Sequence, residues 1–72
     1  MSRSHMRLPK SIKPPRLGPR QQAAFIQGFW DAVDGMRGLH EKEEYRQHHY
    51  EQIVAAYQNG YQTGLAWKDK AD

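Results

Sequence analysis

Cysteine is absent from this 72-residue chain, so neither a disulfide nor a thiolate metal site can hold it together. No apolar run approaches the ~20 residues of a membrane span, and no signal-peptide apolar region is visible. A cytoplasmic protein without membrane contact is the expectation. Other scarcities are regional. Residues 1–20 contain no acid and no Phe, Tyr or Trp, and residues 21–72 contain no proline. The first stretch holds Arg3, Arg7, Lys10, Lys13, Arg16 and Arg20, a charge of +6, whereas the remainder holds five basic and eight acidic residues. A basic arm is joined to a mildly acidic body.

The arm (1–20) has its prolines spaced against regular structure and too little apolar content for a core, which predicts a flexible or extended segment with polyproline character at Pro14–Pro15. Arms of this kind lie along phosphate backbones, where each Lys or Arg releases counterions. They also serve simply as solubilising tails. Ser4-His5-Met6 resembles the remnant of a cloning site; on that expectation the natural chain starts at Met6 and His5 carries no function. Roughly fifty residues remain for the body, and at ~1.5 kcal/mol of entropy per ordered residue a core that small comes out near break-even. Self-association or a partner is the expected supplement.

The body (21–72) reads as two helices, over about 20–37 and 41–69. Gly18-Pro19 supplies a stop and then a helix-compatible proline. Phe25, Phe29, Val33 and Met36 form one apolar face, with Asp31 and Asp34 expected opposite. Gly35 or Gly38 ends this helix. Glu41, Glu43 and Glu44 suit the start of the second helix, and Lys68 and Lys70 suit its end. Its stripe is Tyr50, Ile53, Val54, Tyr57, Tyr61 and Leu65. At 1.5 Å per residue it would span about 43 Å, so it either breaks or runs past its partner.

The two helices share a pattern. Ala24-Phe25-x-x-Gly28-Phe29-x-x-Ala32-Val33 matches Ala56-Tyr57-x-x-Gly60-Tyr61-x-x-Gly64-Leu65 at an offset of 32 residues. Mid-helix glycine costs about 1 kcal/mol relative to alanine. Its recurrence predicts close approach of a neighbouring backbone at Gly28, Ala32, Gly60 and Gly64, where many small dispersion contacts sum. The expected fold is all-α: a helical hairpin with a disordered basic arm, dimerising into a four-helix bundle.

Chemistry is sparse. His40, His48 and His49 sit among Glu41, Glu43, Glu44 and Glu51, but adjacent histidines diverge by about 100° on a helix and no HExxH pattern is present. A solvated helix start is the expected state, with no metal and no cofactor. Ser2, Ser4 and Ser11 all lie in the arm. Asp31 and Asp34 lack a sheltered pocket to split their pKa values, so no enzyme is expected. Trp30 and Trp67 lie at the margins of their stripes, where tryptophan is favoured as an interface anchor or caps a small core. Arg37 falls near Trp30 on the wheel and could stack on it.

The run Gly60, Tyr61, Gln62, Gly64, Leu65 and Ala66, followed by basic residues, resembles the opening helix of the ribosome modulation factor family. "QGFWDA" is a loose counterpart of that family's Gly-Trp element, in the opposite chain order. The resemblance implies a small helical hairpin and binding to ribosomal RNA and protein. Here acidic "HEKEEY" stands in place of the family's basic interhelical loop, and no ribosome-contacting residue carries over.

Two functions follow. One is a small regulatory or inhibitory protein, of the kind phages and mobile elements encode, that docks on a protein complex or ribonucleoprotein through Trp30, Arg37, Tyr45 and Trp67. The other is a ribosome or nucleic-acid binder using Arg7, Lys10, Lys13, Arg16 and Arg20. A homodimer is expected in either case.

Overall fold

The computed structural model describes residues 7–71; Arg3, His5 and the proposed start at Met6 lie outside them. Three helices, α1 (Pro19–Val33), α2 (Glu43–His48) and α3 (Glu51–Ala71), are joined through a 3₁₀ turn at Leu39–Glu41. No strand occurs among the described residues, and none of their helices is long and apolar enough to cross a membrane. The fold is all-α, as the sequence predicts.

Helix α1 starts at an extended Gly18 followed by Pro19. The Gln21 side chain accepts the Gly18 N–H at 3.1 Å, satisfying a donor the helix leaves unpaired. Its other end is a Schellman motif centred on Gly35, whose φ of +77° suits glycine. Gly35 N–H donates to the Ala32 carbonyl at 3.1 Å, and Met36 N–H to the Asp31 carbonyl at 2.8 Å. The helix therefore ends four residues before the expected 37, and Met36 leaves the apolar face to stand 58% exposed.

The segment expected as one helix over 41–69 is three pieces. Lys42 and His49 both adopt extended backbone conformations at the ends of α2. His48 Nδ1–H donates to the Glu44 carbonyl at 2.8 Å, and His49 Nδ1–H to the Tyr45 carbonyl at 2.9 Å. Side chains thus take up carbonyls near the end of α2. Helix α3 starts afresh after Tyr50, whose carbonyl accepts from Ile53 and Val54.

The main pairing is α1 against α3, and it corrects the expected hairpin. Phe25 lies at Gly60 and Phe29 at Gly64, so position rises together along both helices. The α1 start lies beside Tyr50–Ile53, and the α1 end brings Trp30 to Trp67. The helices run parallel, and the chain between Val33 and Glu51 returns along them. A two-helix hairpin pattern reads identically in either orientation, which is why periodicity could not distinguish them.

Contact at this seam is backbone to backbone. A Cβ on Gly28 would collide with the Tyr57 carbonyl oxygen, and one on Gly60 with the Phe25 carbonyl oxygen, both well inside 3.0 Å. These contacts are reciprocal: Phe25 corresponds to Tyr57, and Gly28 to Gly60, under the 32-residue offset. At the next level a Cβ on Gly64 would stand 3.0 Å from that of Ala32, so the level holds a single methyl. Carbonyls facing glycine Cα–H groups across a helix pair add weak hydrogen bonds to the dispersion energy.

The core combines the small residues of the seam with the aromatics that flank them. Ala24, Phe25, Phe29, Ala32, Ala56 and Tyr57 are buried, while Tyr50 and Leu65, expected in the stripe, are 72% and 47% exposed. Asp31, expected on the outer face, is half-buried and accepts a hydrogen bond from the fully buried Tyr57 hydroxyl. The glycine edge makes the closest approach to the partner helix, with the aromatics packed beside it, and that placement brings Asp31 inward.

Residues 7–18 form neither helix nor strand, but they lie against the helices as a strap. The Trp30 indole N–H donates to the Arg7 carbonyl at 3.1 Å. Ser11 and Ile12 face Thr63, Ala66 and Trp67 across a small hollow, and Leu17 packs on Ala24, Ala56 and Tyr57.

Candidate partner-binding groove

Where the start of α1 meets the α2–α3 corner, the chain forms an open groove of about 620 Å³. Arg20, Ala23 and Gln27 line it from α1; Tyr45, Gln47 and His48 line it from α2; and His49, Tyr50 and Ile53 close it at the corner. A neighbouring hollow of about 560 Å³ shares Arg20, Tyr50 and Ile53, extending the groove toward the strap. A third, of about 350 Å³, lies across Tyr45, His48 and His49 beside Lys42 and Glu44.

Local geometry explains this arrangement. The break after His48 turns Tyr50 outward onto the groove lip. Tyr45 stacks on His49 with ring centroids 4.0 Å apart and planes 25° apart, and touches Tyr57 at 5.6 Å on its inner side. Burial first, and then the charge of Asp31, raise the Tyr45 hydroxyl above its ordinary value. A carbonyl can only accept, so each histidine carries a proton on Nδ1 and turns Nε2 away from the helix end.

Among the predicted partner contacts, Tyr45 belongs to this groove. Trp30 and Trp67 lie elsewhere, half-buried and 6.3 Å apart, with Phe29 at 4.9 and 5.6 Å from them. They join α1, α3 and the strap. Arg37 lies past the end of α1, exposed in the connecting loop, so the helical spacing that set it beside Trp30 does not apply. Gly28, Ala32, Gly60 and Gly64 occupy the seam. Arg7, Lys10, Lys13, Arg16 and Arg20 are all exposed.

Gln27, Gln47, His48, His49 and Tyr50 were not among the predicted contacts. The adjacent His48-His49 followed by Tyr50 was the available signal, since two side chains able to bond back to the helix also mark its end. His40, expected in a solvated helix start, instead packs its ring 5.7 Å from Tyr57 and 5.2 Å from Tyr61, with Nδ1 buried and unpaired among the described residues. No group of three or more His, Asp or Glu that could hold a metal ion occurs among the described residues.

No family model matches the chain, no curated protein matches its sequence, and no solved structure matches its fold. The six residues that resemble ribosome modulation factor all lie in α3, where Gly60 and Gly64 belong to the seam and Leu65 is exposed.

Proposed function

We propose that the chain is a small non-enzymatic regulatory or inhibitory protein that docks on a protein complex or ribonucleoprotein through its helical body. The observation carrying this reading is Tyr50, 72% exposed on the lip of the groove beside the Tyr45–His49 stack. A tyrosine held out from a helix–helix corner offers large contact area at little side-chain entropic cost, the property that favours aromatics at binding hot spots. A photo-crosslinking residue placed at Tyr50 in cells should give a discrete adduct, and one at exposed Gln58 should not. Identical adducts from both positions, or none from either, would refute docking at the groove. A phage or mobile element is the proposed source, and the cytoplasm the proposed compartment.

A nucleic-acid partner is favoured by a second observation. The strap turns Leu8, Ile12, Pro14 and Leu17 half-inward and leaves Arg7, Lys10, Lys13 and Arg16 exposed at every third residue. Binding through this row weakens steeply with salt, in proportion to the phosphates contacted. We also propose a homodimer; between two self-closed chains its contact uses faces other than the glycine seam, which each chain fills internally. Light scattering showing twice the 8.4 kDa chain mass would support it, and a single-chain mass at every concentration would reject it.

A further inference from the structure

The strap and the groove meet at Arg20, which lines both of the adjoining hollows. From Arg7 to Arg20 the chain presents five exposed cations and no acid. The row is held outward because the intervening apolar residues are half-buried against the helices. At its end stands Tyr50, 72% exposed, with Gln27 and Gln47 amides lining the same groove. Three acids stand near this end of the groove, and the first of them is the exposed Glu51 that follows Tyr50 in the chain. Glu43 accepts from Gln47 at 3.2 Å, and Glu44 lies on the far hollow beside Lys42.

We infer that strap and groove together form one binding surface for single-stranded nucleic acid, with the backbone following Arg7, Lys10, Lys13, Arg16 and Arg20 and a base stacked on Tyr50. This rests on the nucleic-acid reading above and assigns it a site. A cationic track ending at an open aromatic face is the pairing that single strands need, because each phosphate seeks charge and each unstacked base exposes a π surface. A duplex hides its base faces, so it would gain from the strap alone. An acidic protein would likewise use the cations and leave Tyr50 idle.

The test is fluorescence anisotropy on the full chain with a labelled oligouridine of about twelve nucleotides. A matched duplex, polyglutamate and short heparin serve as competitors, in salt from about 50 to 200 mM. Affinity should fall with salt at a log–log slope near −3, as expected for four or five phosphates on a single strand. Replacing Arg7, Lys10, Lys13 and Arg16 together by Gln should cost at least ~10-fold and flatten that slope. Tyr50→Ala should weaken oligouridine by ~5-fold or more while leaving heparin binding unchanged. All replaced side chains are exposed, and unchanged circular dichroism will confirm that the variants are folded. Equal binding of duplex or polyglutamate, or a Tyr50→Ala variant indistinguishable from the parent chain, overturns the assigned site while leaving salt-sensitive charge binding in place. No binding of any probe at about 50 mM salt overturns both the site and the nucleic-acid reading; the crosslinking test of docking is independent of it.

Discussion

At the seam between α1 and α3, carbonyls of one helix reach glycines of the other, and three glycine positions there have backbone or a methyl where a Cβ would stand. Along the strap, by contrast, Leu8, Ile12, Pro14 and Leu17 are only half-buried, and an indole–carbonyl hydrogen bond of 3.1 Å ties Arg7 to Trp30. The seam has no spare volume and no rotatable side chain to yield. The strap has both. The first region therefore determines whether the chain folds, and the second determines what it presents to a partner.

Breaking the seam should produce the largest effect. Gly60→Ala gains about 1 kcal/mol of helix propensity, but its methyl meets the Phe25 carbonyl and Cα, which belong to a helix and cannot rotate away. Overpacking typically costs about 1–3 kcal/mol and occasionally more. Three backbone atoms of Phe25 lie inside 3.0 Å of the new methyl, so the cost here is at or above the top of that range and the clash wins. In a domain this small the cooperative thermal transition should move down by ~10 °C or disappear. A variant melting at or above the parent temperature would show that the helices do not approach so closely.

Gly35→Ala sharpens the contrast, because there the space is open, with only Lys68 Nζ at 3.9 Å, and the backbone alone objects. Holding alanine at φ +77° should cost about 1–2 kcal/mol, read as a lower urea midpoint. Gly60→Ala should exceed it; the reverse order would mean that conformation, not contact, governs these glycines.

Tyr57 gives a pH dependence. Burial first, and then its hydrogen bond to Asp31, raise the Tyr57 hydroxyl well above the ordinary 10.0. A raised value means that the folded state holds this proton more tightly than the unfolded state. The stabilisation is complete below pH 10 and is lost as pH climbs through the folded value. Tyr45 shifts in the same direction. Tyr57→Phe should cost about 1–2 kcal/mol near pH 8 by leaving Asp31 without its donor. It should also flatten the decline in urea midpoint between about pH 9 and pH 11, and an unchanged alkaline decline would remove Tyr57 as its cause.

Deleting residues 1–17 should have a smaller effect on folding, about 1 kcal/mol net, because the half-burial of the strap's side chains is largely offset by the entropy of ordering it. It should shift tryptophan emission to the red as Trp30 loses its carbonyl partner and Trp67 its cover. Unshifted emission would mean that the strap does not rest on this cluster. His49→Ala should be the mildest, roughly 0.5–1 kcal/mol for one capping bond and the Tyr45 stack.

The glycine spacing and its aromatic flanks were legible because small residues recur at helical period only at some cost, and both matching runs meet at one seam. The α1 start was legible from Gly18-Pro19, and Gly35 stood among the expected stops. Helix orientation was not legible, since i, i+4 spacing is the same whichever way a partner runs. Asp31 was misplaced because the wheel was centred on Phe25 and Phe29, whereas close packing turns Gly28 toward α3. Tyr50 was assigned to the stripe because a helix break set by two histidine side chains leaves no gap in the apolar pattern. The groove went unseen for the same reason.

The reciprocal seam has one more consequence. The α3 of another molecule offers α1 the same glycines and carbonyls as its own, so the seam by itself does not distinguish between them. What favours the internal match is the tether between Val33 and Glu51, which holds α3 near α1 at an effective concentration in the millimolar range. At ordinary dilution each molecule closes on itself. As protein concentration approaches that of the tether, exchange of helices between molecules becomes competitive, and the connecting segment, not the seam, sets the threshold.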